Sequence, residues 1–325
     1  MSLLLNSLGI DVFGYSLNYE KGALFDKLKV SSLVDGCFND ILDKESLHKS
    51  LVQCNPQVVV HFAAQPLVLD SYKKPYETFQ VNTYGTLNVL EAACQVESVQ
   101  VILVITTDKV YRNLEEGIRF CETDPLEGSD PYSASKVAAE SICHAWQKMH
   151  PEHSKKRVIV ARAGNVIGGG DTANNRLIPD LVRGFSFDEP VVIRNPRSVR
   201  PWQHVLDPLF GYLLYIQKSL NDKASPSAMN FGPLEPGKTV QEIVDISSSY
   251  FNVKVQEHQK SQSHFSEAGR LELDSTLAQR ELGWVPKWNQ DIAVHKTFSW
   301  WKRVLIDQVP ELDACLEDLE SFLGK

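Results

Sequence analysis

Residues 101–136 constrain the fold more than any other stretch. Val101-Ile102-Leu103-Val104-Ile105 is an unbroken apolar run, the pattern of a strand covered on both faces. It stops at Thr106-Thr107-Asp108-Lys109, so polar side chains gather where the strand ends. In open α/β sheets ligands bind at the carboxyl ends of strands, which makes this a candidate reactive edge. Further on, Asp130-Pro131-Tyr132-Ser133-Ala134-Ser135-Lys136 opens a helix. Asp130 is a suitable cap, Pro131 suits the first position, and Tyr132 and Lys136 share one face a turn apart.

The rest of the chain repeats strand and helix. Residues 1–8 read as helix stopped by Gly9, 11–17 and 30–38 hold short strands, and Asp43 caps a helix through Val52. Val58-Val59-Val60-His61-Phe62 reads as a buried strand, followed by helix to about Ala93, and 157–163 as another strand. Such alternation implies an α/β fold with a doubly wound parallel sheet. Beyond it, 240–248, the segment after Asp274 to Trp284, 292–305 and 311–323 read as helices.

A phenol ordinarily holds its proton at neutral pH, and a lysine one turn away is expected to pull its pKa down. With a Thr107 hydroxyl on the adjacent strand end, Tyr132 and Lys136 suit removal of a proton from a sugar hydroxyl while hydride leaves the same carbon. Tyr-x-x-x-Lys alone is a weak signal, since Tyr250-Phe251-Asn252-Val253-Lys254 repeats it. In that copy the alternation of Phe251, Val253 and Val255 reads as a strand, which would set the two side chains apart.

Other function classes are narrowed by composition. A net charge of −8 over 325 residues argues against a nucleic-acid surface. Six cysteines lie scattered with no Cys-x-x-Cys, which fits reduced thiols in a cytoplasmic protein. No apolar run approaches membrane-span length, and the first residues are not expected to act as a signal peptide. His144, His150 and His153 lack acids or cysteines in a ligand arrangement, so no metal is expected. His61 reads as a hydrogen-bonded core histidine and Asn82 as a brace. Gly164-Asn165-Val166-Ile167-Gly168-Gly169-Gly170 comes too late for a phosphate cradle and reads as a flexible loop.

Several stretches together resemble the extended short-chain dehydrogenase/reductases, and among them the members that dehydrate CDP-glucose. They are His61-Phe62-Ala63-Ala64-Gln65-Pro66, Val81-Asn82-Thr83-Tyr84-Gly85-Thr86, Thr107-Asp108-Lys109-Val110-Tyr111, Arg162 to Asp171, Arg176-Leu177-Ile178-Pro179-Asp180, Val192 to Pro196 and Arg200-Pro201-Trp202-Gln203-His204-Val205. The resemblance implies a Rossmann-like NAD-binding domain over 1–164, rejoined by about 203–232, with its first strand and Gly-x-x-Gly-x-x-Gly loop falling ahead of Met1. A smaller sugar-nucleotide domain would comprise 165–202 and 233–325. Tyr132, Lys136 and Thr107 would oxidise the sugar at C4, Asp108 would protonate the departing C6 hydroxyl, and Lys109 stands where related enzymes have a glutamate C5 base. Asp40, Ile41, Ala63, Ala64 and Gln65, with Tyr132 and Lys136, would contact the cofactor. Asn18 stands where NAD-type members often carry an acid, and no arginine is near for a 2′-phosphate, which favours NAD. Asn165, Arg194, Arg200, Trp202 and His204 would contact the nucleotide sugar, the arginines suiting a pyrophosphate. A buried Trp202 is equally a core residue. The resemblance also implies a homodimer, with the helices after His61 and at Tyr132 packing across the interface.

Two other readings stay open at this stage. A sugar-nucleotide epimerase of the same fold needs the tyrosine and lysine but no acid at Asp108. A non-catalytic nucleotide-binding remnant would follow from the absent first strand.

Overall fold

The computed structural model describes residues 1–149, 156–257 and 269–324. Thirteen helices and twelve strands are assigned among them. The first half runs α1 (Ser2–Ser7), β1 (Phe13–Ser16), α2 (Leu24–Lys27), β2 (Asp35–Phe38), α3 (Lys44–Cys54) and β3 (Val58–His61). It continues through α4 (Val68–Lys73), α5 (Pro75–Phe79), a π turn at Gln80–Tyr84, α6 (Gly85–Gln95), β4 (Val101–Ile105), α7 (Pro131–Met149) and β5 (Arg157–Ala163). Local signals account for these boundaries. Gly9 takes φ +70° after α1, and the Asp43 carboxylate accepts the Ser46 N–H at the start of α3. Pro131 occupies the first turn of α7, where Asp130 Oδ1 accepts the Ser133 N–H at 3.0 Å.

Strands β3, β4 and β5 pair in parallel with β10 (Ala228–Phe231), in the order β10-β5-β4-β3. The apolar run of β4 serves both faces, as its pattern requires. Val101 and Leu103 pack with α9 (Leu206–Asn221) and Leu4 of α1, whereas Ile102 and Val104 pack with Leu90, Ala93 and Cys143 of α6 and α7. Strands β1 and β2 form a separate parallel pair. Among the described residues no strand pairs with the outer edge of β3, and Val58, Val59 and Val60 there are only half-buried.

The remaining elements are β6 (Val166–Ile167), α8 (Leu177–Phe187), β7 (Val191–Ile193), β8 (Val199–Arg200), β9 (Gln203–His204), β11 (Lys238–Thr239), α10 (Val240–Ser247), β12 (Val255–Glu257), α11 (Thr276–Leu282), α12 (Gln290–Leu305) and α13 (Glu311–Leu323). Apart from α11, whose Ala278 packs in the sheet core with Leu319 of α13, they surround a second core in which Leu181, Ile243, Phe251, Phe298, Trp300 and Trp301 are buried together. Three short ladders, β6–β9, β7–β12 and β8–β11, tie its loops. The glycine run is packed rather than flexible. A Cβ on Gly169 would fall 2.0 Å from the Trp300 ring and one on Gly168 3.0 Å from Val205. No helix among the described residues is long and apolar enough to cross a membrane.

Candidate active site

Strand β4 delivers its polar residues into the protein. Thr107 caps a short 3-10 turn at Asp108–Val110, and its hydroxyl donates to Asp108 Oδ1 at 3.0 Å. Asp108 is fully buried, and Lys109 Nζ donates to the same Oδ1 at 3.3 Å. The pair is thus far from a solvated surface bridge. Asp108 Oδ2 is buried with no hydrogen-bond partner among the described residues. An unpartnered buried carboxylate oxygen is costly unless something else is to bind it.

Helix α7 brings Tyr132 and Lys136 against that strand end. The Tyr132 phenol lies beside the Thr107 side chain, and Lys136 Nζ donates to the Ile105 carbonyl at 3.1 Å. The first turn of α7 is held further by Ser71, whose hydroxyl accepts the Tyr132 N–H, and by Asn82. The Asn82 amide accepts the Gln65 N–H, donates to the Gln65 carbonyl and donates to Ser135 Oγ. It therefore joins the loop after β3 to α7, and it projects from the π turn, an irregularity common at functional sites.

Protonation departs from the simple expectation. Burial pushes the Tyr132 phenol up to about 12, offset in part by the neighbouring Thr107 side chain. Burial also draws Lys136 down to about 8. In the ligand-free protein desolvation outweighs the attraction of the Arg176 cation, and proximity of the lysine does not by itself make the phenol acidic. His61 is buried, shares a hydrogen bond with Thr86 Oγ1, and is held neutral by burial, its pKa falling to about 3. It is a core histidine.

The other expected positions fall into three groups. Ala63 and Ala64 line the carboxyl end of β3, half-buried. The Gln65 amide is spent on its own loop, donating to the Leu67 carbonyl and Thr78 Oγ1 and accepting the Leu67 N–H. Asp40 is exposed at the end of β2, where its carboxylate accepts the Leu42 N–H, while Ile41 is buried against Gly85. Asn165 is half-buried and its carbonyl accepts the Gln203 N–H; Arg194 is exposed; Arg200 Nη1 donates to the Val199 and Gly269 carbonyls.

The structure places Trp202 and His204 in the interior. Trp202 is buried in the second core and its indole N–H donates to the Lys238 carbonyl. His204 is 3% exposed, accepts the Leu206 N–H on Nδ1, packs edge-on to Trp288 at 4.6 Å, and burial holds its pKa near 3. Both side chains fill the interior because β8, β9 and α12 close over them.

The second Tyr-x-x-x-Lys is structural. The Tyr250 hydroxyl pairs with His295 Nδ1 at 2.9 Å, and Lys254 pairs with Asp188. The ladder begins only at Val255, later than the alternation suggested. His150 and His153 lie outside the described residues, and no metal-binding group of side chains is present among the described ones.

Two contributors escaped the sequence reading. Gly164 has no Cβ where one would stand 3.0 Å from Asp108 Oδ2 and 2.8 Å from Pro201 Cγ, so the glycine makes room for the carboxylate. Arg270 forms a bridge with Val199, next to Arg200, and pairs with Glu272. Neither carries a local signal, since each depends on what the fold brings alongside.

Comparison with known proteins agrees with this geometry. The family model described as GDP-mannose 4,6 dehydratase matches residues 10–297. A CDP-glucose 4,6-dehydratase of Salmonella typhimurium is 39% identical over 310 residues, covering 93% of this chain and 86% of that protein. A dTDP-glucose 4,6-dehydratase of Neisseria gonorrhoeae is 26% identical, covering 81% and 79%. Among solved structures, a UDP-glucose 4-epimerase of Stenotrophomonas maltophila with NAD and formylated UDP-arabinopyranose superposes with TM-score 0.81 at 20% identity, covering 95% of each chain. A dTDP-glucose 4,6-dehydratase of Bacillus anthracis in complex with NAD does so with TM-score 0.76 at 22% identity, covering 93% and 91%. With its Thr107–Tyr132–Lys136 assembly at the end of a parallel strand and a family match across most of its length, this chain belongs to the GDP-mannose 4,6 dehydratase family of sugar-nucleotide dehydratases and epimerases.

Proposed function

We propose that the chain is a CDP-glucose 4,6-dehydratase, converting CDP-glucose to CDP-4-keto-6-deoxyglucose and water. The observation that carries this reading is Asp108: a buried carboxylate with one unpartnered oxygen, bonded to Thr107 beside the Tyr132 phenol. An epimerase does not need that acid, and the 39% identity to the Salmonella enzyme points the same way.

The cofactor of the reaction is NAD, which when bound would supply the hydride acceptor for C4 and the hydride donor for C6. The residues fit its nicotinamide end. Ala63 and Ala64 leave space at the strand end, and the buried Lys136 ammonium has donors beyond the one given to Ile105. No run of closely spaced glycines links β1, β2 or β3 to a following helix in the described residues, so no pyrophosphate ligand is assigned here.

Tyr132 accepts the proton of the C4 hydroxyl, and Thr107 shares that oxygen. Lys136 keeps a positive charge beside the phenolate. Once C4 is a ketone the C5 hydrogen is acidic, and Asp108 protonates the C6 hydroxyl as it leaves. Lys109, paired to Asp108 and partly exposed, is placed to steady the enolate or take the C5 proton. Arg194, Arg200 and Asn165 are the proposed nucleotide-sugar contacts, with Arg270 added beside Arg200. The proposed division is into a cofactor domain (1–164 and 203–232) and a sugar-nucleotide domain (165–202 and 233–325); the second core draws its buried residues from the latter alone, while Ala278, Trp284 and Leu319 of the latter pack in the sheet core.

The proposed pairing with a second copy is through the helices after His61 and α7, and Tyr76 and Tyr84 beside them are 76% and 59% exposed. Free cysteines throughout the described residues fit a cytoplasmic location. The test is turnover of CDP-glucose with NAD by the folded protein. Formation of the 4-keto-6-deoxy product, lost in Tyr132→Phe, supports the assignment; no product from a folded protein that binds CDP-glucose overturns it.

A further inference from the structure

One face of α7 is used three times. Tyr132, Lys136 and Glu140 lie at successive turns, and each is anchored to β4 or to the segment that follows it. Tyr132 lies beside Thr107, Lys136 Nζ donates to the Ile105 carbonyl, and Glu140 Oε1 accepts the Thr106 hydroxyl at 2.6 Å. Glu140 is also clamped by Arg162 of β5, whose Nε reaches both carboxylate oxygens, at 2.9 and 3.0 Å, and whose Nη2 donates to Oε2. Both side chains are 5% exposed.

The far end of Arg162 returns to the same segment. Its Nη1 donates to the Tyr111 hydroxyl at 2.7 Å, and Tyr111 donates to Asn230 Oδ1 on β10, also at 2.7 Å. The Asn230 amide then donates to the Phe120 and Asp274 carbonyls. Thr106 and Tyr111 bracket Thr107, Asp108 and Lys109. One buried ion pair therefore grips the reactive segment at both ends and, through the backbone of α7, holds the helix that carries Tyr132 and Lys136. Apolar residues would serve stability as well as a buried ion pair does, so its placement here argues for geometry.

We propose that Glu140 is a positioning residue for this site: with Arg162 it sets the spacing between the Tyr132–Lys136 pair and the Thr107–Lys109 segment. The inference rests on the dehydratase reading above and adds to it a residue that touches no substrate. It has an electrostatic consequence as well. Lys136 is faced by Tyr132, Glu140 and Cys143 on α7, by His61 on β3 and by the Ile105 carbonyl, with Arg162 behind Glu140. Neutralising Glu140 removes the one nearby anion and leaves the Arg162 cation uncompensated, so Lys136 gives up its proton at a lower pH.

Glu140→Gln tests this. Expected are a loss of about 10- to 100-fold in kcat with KM for CDP-glucose within about threefold, the scale set by a misplacement of about 1 Å. The alkaline limb of the pH–rate profile moves to lower pH, and Glu140→Asp recovers part of both effects. Hydrogen exchange of the ligand-free variant speeds up in 106–111 and 131–140 while the second core is unchanged. Thr106→Val, which leaves the ion pair in place, lowers kcat less and leaves the pH profile alone; it also serves if Glu140→Gln does not fold. Unchanged kcat and profile overturn the inference, as does a uniform loss of protection with Glu140→Asp no better than Glu140→Gln. If the parent protein does not turn over CDP-glucose, the dehydratase reading falls by itself, and the exchange pattern still decides the role of Glu140.

Discussion

Gly164→Ala asks whether the Asp108 carboxylate must sit where it does. The backbone at Gly164 is not in the left-handed region, so alanine meets no conformational barrier there. Its Cβ would instead lie 3.0 Å from Asp108 Oδ2 and 2.8 Å from Pro201 Cγ, both inside ordinary contact. Proline is rigid, and Asp108 Oδ1 is held by Thr107 and Lys109, so the carboxylate can yield only by loosening those bonds. Overpacking of this kind costs about 1–3 kcal/mol. Borne by the carboxylate during elimination, that cost slows product formation by roughly 10- to 100-fold. Tyr132 and Lys136 keep their contacts, so oxidation at C4 continues. In a stopped-flow turnover with CDP-glucose and NAD, the variant should accumulate reduced nicotinamide that decays slowly to product, and Asp108→Asn should do the same more severely. Turnover at the parent rate, or equal loss of the reduced-nicotinamide signal and of product, would refute the role given to Asp108 and its glycine neighbour.

Further outcomes follow from the same groups. Activity should fall above about pH 8 as the buried Lys136 loses its proton, and Lys136→Met should be inactive across the range; a rate flat to pH 10 would contradict this. His61 is neutral when folded (pKa about 3) and takes a proton when unfolded below about 6.5, so the stability it permits is lost as pH falls through that window. His61→Gln should therefore lessen the pH slope of unfolding free energy between pH 6 and 4 by about 1.4 kcal/mol per unit, measured by urea denaturation. Asp207, raised to about 7 by burial, acts in the opposite sense in the parent and the variant alike, so the difference between them isolates the histidine. Tyr250→Phe should keep full activity, since its hydroxyl serves only His295; a loss in kcat would show that the second motif had been misread.

What could be read from the sequence is what is decided locally. The β4 run, the Asp130 cap and the Tyr132–Lys136 spacing each carry a short-range signature, and each stands where its pattern placed it. The less legible features depend on partners far along the chain. The glycine run looked flexible because glycine is permissive, yet Gly169 is required by the Trp300 ring from α12. Trp202 and His204 looked like ligand contacts because aromatic and titratable side chains near arginines suit a nucleotide; Lys238 and Trp288 turn both inward. Two-residue ladders such as β8–β11 have no periodicity to detect.

The protonation of Tyr132 shows why spacing alone did not yield the chemistry. A helical turn between phenol and ammonium predicts attraction, but both groups are buried, and desolvation moves each toward its neutral form. A site that must hold a phenolate cannot obtain it from Lys136 unaided in the ligand-free state. It needs further charge, and this comes from outside the motif: the Arg176 cation directly, and the Glu140 carboxylate through its effect on Lys136. Glu140 stands four residues beyond Lys136 on the same helical face, visible in the sequence as a carboxylate among apolar neighbours. Its meaning required Arg162 and Thr106 to be brought beside it. The reactive pair is thus encoded in five consecutive residues, whereas its protonation is encoded in the sheet.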